Sequence, residues 1–133
     1  MTLRKLQDSL NNLNRAVENV ERALTLPVDR ELVFEGTIQR YEVAIELMWK
    51  TLKRALEHEG LAPKTPRESV KEAFQAGWLH DEAEWIDMLN YRNRTSHMYL
   101  DEEFAADAYK DVKDATPHLR AALDLLNRRY AAA

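Results

Sequence analysis

The chain predicts an all-α fold: an up-and-down antiparallel bundle of about five helices. Two observations predict it. Apolar residues recur at spacings of three and four over long stretches, while no segment sustains strand alternation between turn signals. Glycine and proline are scarce, three and four in 133 residues, and mostly fall where helices should start or stop. The length suits one domain, residues 1–133, large enough to bury a core.

The first helix is expected from about Thr2 to Leu26, ahead of Pro27, with Leu3, Leu6, Leu10, Leu13, Val17, Val20 and Leu24 as a heptad-like seam. The seam is too brief for a rod and suits bundle packing. A second helix is expected from about Asp29 to His58, stopped by Gly60. Its core stripe is Ile38, Tyr41, Ile45, Met48, Leu52 and Leu56, with Trp49 beside it. Thr65-Pro66-Arg67-Glu68 reads as a capping box with proline at the first helical position. It opens a short helix carrying Val70, Ala73 and Phe74 and ending at Gly77. Asp81 caps a fourth helix through Trp85, Met88 and Leu89. Asp101 is expected to cap the last one, with Phe104, Ala108, Val112, Leu119, Leu123 and Leu126 inward, a kink at Pro117, and a frayed tail from Tyr130 to Ala133.

Composition narrows the function classes. The net charge is −4, so the chain does not coat nucleic acid by bulk electrostatics, and any RNA contact must be a local basic patch. No apolar run is long enough to span a bilayer. The basic start Met1 to Lys5 is soon interrupted by polar residues, so no secretory signal is expected. The absence of cysteine removes disulfides and thiolate chemistry and fits a cytoplasmic protein. No pair of histidines has metal-ligand spacing with a carboxylate on the same face, so no metal and no cofactor is expected.

The fourth helix leads into Tyr91-Arg92-Asn93-Arg94-Thr95-Ser96-His97-Met98-Tyr99, where the chemistry concentrates. Arginine holds its charge at any relevant pH and forks onto phosphate oxygens. Histidine exchanges a proton near neutrality. RNA carries its own nucleophile, the 2′-hydroxyl. Arg92 and His97 suffice in principle to deprotonate it, stabilise the charge on phosphorus and protonate the leaving oxygen without a metal. Asn93, Arg94, Thr95 and Ser96 are candidate phosphate-contacting or supporting residues. On a continuous helix the two key side chains would diverge by about 140°. Either the helix loosens between them, or a second copy brings a second motif close, and both are expected. A lone Arg and His in a helical protein are more often surface or satisfied core groups, and spacing alone does not separate the two readings.

These residues carry a resemblance. The sequence resembles the HEPN domains, small helical bundles with an Arg-polar-x-x-x-His motif, matched here by Arg92-Asn93 and His97. With Tyr99 it has the Arg-x4-His-x-Tyr form of HEPN toxins paired with minimal nucleotidyltransferase antitoxins. Ile38-Gln39-Arg40-Tyr41-Glu42, Glu46 to Lys53, Thr65-Pro66-Arg67-Glu68 and Ala73 to Gly77 resemble, in order, the branch called nucleotidyltransferase substrate-binding proteins. The resemblance implies a homodimer with the motifs facing a shared cleft. It implies a metal-independent endoribonuclease toxin, with Arg92 holding phosphate and His97 as general acid or base. It also implies inhibition by a nucleotidyltransferase that adenylylates Tyr99. The branch name implies the alternative, a non-catalytic substrate- or nucleotide-binding subunit of a two-component nucleotidyltransferase. A structural helical dimer with a relic motif is a third reading. No Gly-Ser followed by Asp-x-Asp occurs, so nucleotidyl transfer by this chain itself is not expected.

Elsewhere, Trp49 and Tyr41 are better read as core packing than as base-stacking platforms. Arg40 and Glu46 read as a structural ion pair or cap. His58 and His80 sit near helix ends, His118 follows Pro117, and Asp107 and Asp111 read as solvated surface.

Overall fold

The computed structural model describes residues 2–29, 32–94 and 102–132, and the side-chain surroundings of residues 2–29, 32–90 and 106–132. Among the described residues there are five helices and no strand: α1 (Leu3–Ala23), α2 (Val33–His58), α3 (Pro66–Gln75), α4 (Glu82–Arg94) and α5 (Glu102–Tyr130). The expected all-α class holds.

The apolar spacing explains each helix's buried face. In α1, Leu6, Leu10, Leu13, Val17 and Val20 are fully buried, while Leu3 is exposed. In α2, Ile38, Tyr41, Ile45, Met48, Leu52 and Leu56 face them. Burying each Leu, Ile or Met side chain contributes roughly 1.5–3 kcal/mol. Phe74, near the end of α3, is exposed, while Val70 and Ala73 are buried.

Helix ends follow local chemistry. Thr2 accepts from the Lys5 amide at 3.3 Å and opens α1. Thr65 accepts from the Glu68 amide at 3.1 Å. The reciprocal arm of the box is shifted by one residue, since the Glu68 carboxylate accepts from the Lys64 amide at 2.7 Å. Asp81 Oδ1 accepts from the Glu84 amide at 3.2 Å, as expected of a cap. Both α2 and α3 end in the same hydrogen-bond pattern. Gly60 donates to Glu57 and Leu61 to Leu56; Gly77 donates to Phe74 and Trp78 to Ala73. That six-to-one and five-to-two pairing needs a left-handed residue, supplied by Gly60 at φ 92° and Gly77 at φ 81°.

Cross-helix bonds fix the directions. Arg54 bonds Ser9 and Arg40 bonds the Asn19 carbonyl, so α1 and α2 run antiparallel. Gln7 bonds the Tyr130 carbonyl, Asn14 pairs with Asn127 and Arg120 forks onto Glu21, so α5 is antiparallel to α1 and parallel to α2. The Trp85 ring lies beside α5 around His118 and Ala122, and Met88 beside Val112, so α4 runs back along α5. The up-and-down arrangement of these neighbours is therefore as expected. It gathers the end of α4, the starts of α2 and α5 and the end of α1 at one pole of the bundle. At that pole the Phe34 and Tyr109 rings stack obliquely at 4.9 Å.

The C-terminus departs from expectation. α5 contains Pro117, as expected, and continues to Tyr130, which is buried instead of frayed. Its hydroxyl bonds the Glu59 carboxylate, and its ring meets His58 and Trp78 edge-on at 5.7 and 6.1 Å. A bulky aromatic on the inward side of the helix, with a partner for its hydroxyl, is what holds this turn.

Candidate functional site

The motif begins in the last turn of α4, which carries Arg92, Asn93 and Arg94. Thr95, Ser96, His97 and Tyr99 lie outside the described residues, as does the Asp101 cap; α5 begins at Glu102. The structure thus places the backbone of the first three site residues at the pole where two helices start and two end. The expected loosening between Arg92 and His97 falls on residues outside the description.

The scaffold beneath that pole is locked by polar contacts. Arg40 is exposed and donates to the Asn19 carbonyl at 2.9 Å, so it ties α2 to α1 at a helix end. Glu46 accepts from the Trp49 indole at 3.0 Å. Arg40 thus ties two helices together and Glu46 holds the Trp49 indole, and the bonds described do not pair them with each other. Trp49 is half-buried against the core and Tyr41 is fully within it, as their apolar neighbours imply.

Tyr41 also has a role the sequence did not signal. Its ring forms one wall of a cleft of about 210 Å³ between α2, α4 and α5, lined otherwise by Glu84, Asp87, Met88, Asp111, Val112, Asp114 and Ala115. Burial raises the Tyr41 phenol well above its ordinary value, and the nearby Glu84 and Asp111 carboxylates raise it further. Asp111 is half-buried here, not solvated as expected. Its carboxyl is pushed up by that burial and by Asp114. Asp107 is exposed, as expected. Four carboxylates and a phenol from three helices meet only after folding. The signal available in sequence was the spacing of Glu84 and Asp87 on α4 and of Asp111 and Asp114 on α5, each pair sharing one helical face.

A second groove lies over the α3–α4 connection. It brings His80 and His118 together with Trp78, Trp85, Asp124 and Arg128. Spacing along the chain could not show that convergence. His58, the last residue of α2, instead meets the Tyr130 ring. Among the described residues no three His, Cys, Asp or Glu side chains could hold a metal ion. No helix among them is long and apolar enough to cross a membrane.

Comparison with known proteins points the same way as the motif. Residues 2–128 match the family described as nucleotidyltransferase substrate binding protein like. A probable ribonuclease HepT of Haemophilus influenzae is 27% identical over 122 residues, spanning 80% of this chain and 83% of that protein. A crystal structure from Thermus thermophilus superposes with a TM-score of 0.80 at 26% identity, covering 87% of this chain and 99% of the other. A Haemophilus influenzae structure, described as the fold of a substrate binding domain of a nucleotidyltransferase, superposes with a TM-score of 0.68. It is 24% identical and covers 95% of this chain and 99% of the other, a likeness of fold.

Proposed function

Because the chain belongs to the nucleotidyltransferase substrate-binding-like branch of the HEPN family, we propose that it is the toxin of a HEPN and minimal nucleotidyltransferase pair, a metal-independent endoribonuclease. The observation that carries this reading is the motif Arg92, His97 and Tyr99, intact in a chain similar to a probable ribonuclease.

In this reading His97 takes the 2′-hydroxyl proton as that oxygen attacks the adjacent phosphorus. The 2′-oxygen to phosphorus bond forms and the bond to the 5′-oxygen breaks. A second protonated group, from the same motif or its copy in a homodimer, returns a proton to the leaving 5′-oxygen. Arg92 holds the phosphate and stabilises the charge that grows on it, with Asn93, Arg94, Thr95 and Ser96 as supporting donors. The products are a 2′,3′-cyclic phosphate and a 5′-hydroxyl. Adenylylation of Tyr99 by the partner nucleotidyltransferase places a phosphate beside Arg92 and His97. That phosphate competes with RNA for the same cations and switches cleavage off. The protein works in the cytoplasm as one domain.

The test is cleavage of several RNAs by the mass-checked, unmodified chain, with His97→Ala in parallel. Cleavage leaving cyclic phosphate ends, lost in the variant at unchanged helicity, is expected. Equal cleavage by the variant refutes the assignment. The family description favours a second reading, a non-catalytic subunit that presents substrate to a nucleotidyltransferase. That reading leads if the unmodified chain binds nucleotide or a nucleotidyltransferase and cuts no RNA.

A further inference from the structure

The cleft between α2, α4 and α5 is built from acceptors that have nothing to accept from among the described residues. Tyr41 is 1% exposed, and its hydroxyl has no hydrogen-bond partner among those residues. The hydroxyl is not among the enclosed side-chain atoms that lack a partner, so it opens onto the cleft, where it is free to accept. Glu84, Asp87, Asp111 and Asp114 stand around it, and none of the four forms an ion pair among the described residues. Elsewhere in the bundle Arg120 bridges Glu21 and Asp124, and Arg129 reaches Glu59. Four like charges drawn to one cleft without a counter-charge repel one another, and a bound cation relieves that repulsion.

The spacing selects the kind of cation. A metal ion needs its oxygens gathered within about 2.0–2.6 Å of one point. No three of the described carboxylates can close that far. A guanidinium is planar and wide, offers five N–H donors in different directions, and is more weakly hydrated than an ammonium. It can reach acceptors spread over three helices, and entering a floor formed by Met88, Val112 and Ala115 costs it less desolvation.

We infer that this cleft is a guanidinium socket: the Tyr41 hydroxyl accepts at its floor, and Glu84, Asp87, Asp111 and Asp114 neutralise the charge around its mouth. The ligand is an arginine side chain or a small free guanidine. The socket stands on its own geometry and does not depend on the ribonuclease reading.

The test is titration of ethylguanidinium chloride into the full chain carrying carbon-13 tyrosine, at constant ionic strength. The Tyr41 signal is assigned by its loss in Tyr41→Phe. Ethylammonium and magnesium serve as competitor probes. The expected result is a saturable shift of the Tyr41 signal with ethylguanidinium, at least about tenfold tighter than with ethylammonium and weakened at least about tenfold by Asp111→Asn with Asp114→Asn. The double variant removes repulsion and should fold, which its helicity and melting temperature report. Absence of a saturable shift overturns the proposal. So does equal or tighter binding of ethylammonium or magnesium, or unchanged affinity in the folded double variant. A blocked glycyl-arginyl-glycine peptide separates the sources. Binding as tight as ethylguanidinium supports an arginine side chain from another protein; exclusion of the peptide with retention of ethylguanidinium supports a free guanidine.

Discussion

Tyr130→Phe isolates the bond that closes the C-terminal end of the bundle. The substitution keeps the ring, hence its edge contacts with His58 and Trp78, and removes only the hydroxyl, which donates to Glu59 and accepts weakly from Arg129 at 3.4 Å. A hydrogen bond to a charged acceptor contributes about 1.5–3 kcal/mol when sheltered. The Glu59 side chain is 41% exposed, and solvent screening brings the expected loss down to about 1 kcal/mol. For a chain of this size that is a melting temperature lower by about 3–4 °C. The pH dependence follows from the same bond. The Glu59 carboxyl is held below its ordinary 4.5 first by the Tyr130 hydroxyl, which outweighs the opposing effect of burial, and further by Arg129. The folded carboxylate therefore holds its proton less tightly than the unfolded one. Its contribution is complete above the unfolded value and is lost as pH falls through the folded value. Thermal melts of both proteins at about pH 7 and about pH 3 should show the deficit at neutrality and its shrinkage in acid. Equal melting temperatures at neutrality refute the reasoning, and so does a deficit of the same size at both pH values.

The core, a helix end and the motif give four further tests. Leu52→Ala, at a fully buried position, should cost about 2–5 kcal/mol in denaturant unfolding; a loss under about 1 kcal/mol would mean that α2 is not packed as described. Gly77→Ala should cost about 1 kcal/mol although nothing lies within 4 Å of the added Cβ, because φ of 81° is the strained part; calorimetry reads it. Arg92→Lys should leave the stability within about 0.5 kcal/mol of wild type while lowering RNA cleavage at least about tenfold, since only the forked donor is lost. Tyr99→Phe should keep cleavage and abolish incorporation of labelled adenylate by a partner nucleotidyltransferase; continued incorporation would move the modification elsewhere.

What the sequence made legible was whatever one helix decides alone. The seam from Leu6 to Val20 is set by spacing, the stops at Gly60 and Gly77 by a left-handed residue, and the starts at Thr65 and Asp81 by side chains that cap. The motif was legible for the same reason, being contiguous. Features that depend on which helices become neighbours were not. Asp111 reads as a surface residue on α5 until α4 brings Glu84 and Asp87 to the same cleft. The reading of Tyr130 as tail failed because its partners, Glu59 and Trp78, stand about seventy and fifty residues away in sequence and act only across the finished bundle. His80 and His118 share a groove across a separation that no spacing rule covers.

The charge order along α4 bears on how its arginines should be interpreted. Glu82 and Glu84 occupy the first turn, and Arg92 and Arg94 close the last. The helix dipole favours this order, by about 0.3–1 kcal/mol per charge, whatever the helix does functionally. The position of Arg92 is therefore not by itself evidence of catalysis. Two things exceed what the dipole requires. One is the histidine and tyrosine that follow at fixed spacing, which a dipole does not ask for. The other is the acidic cleft one to two turns back along the same helix, where Asp87 adds charge beyond the first turn. An acidic cleft so near a cationic motif repels phosphate from the side of the bundle. For the ribonuclease proposed above, that repulsion would leave the pole where α4 ends as the approach for RNA, and the flank for the proposed guanidinium. On that account, neutralising Asp111 and Asp114 changes cation binding on the flank, while the choice between arginine and lysine at position 92 changes chemistry at the pole.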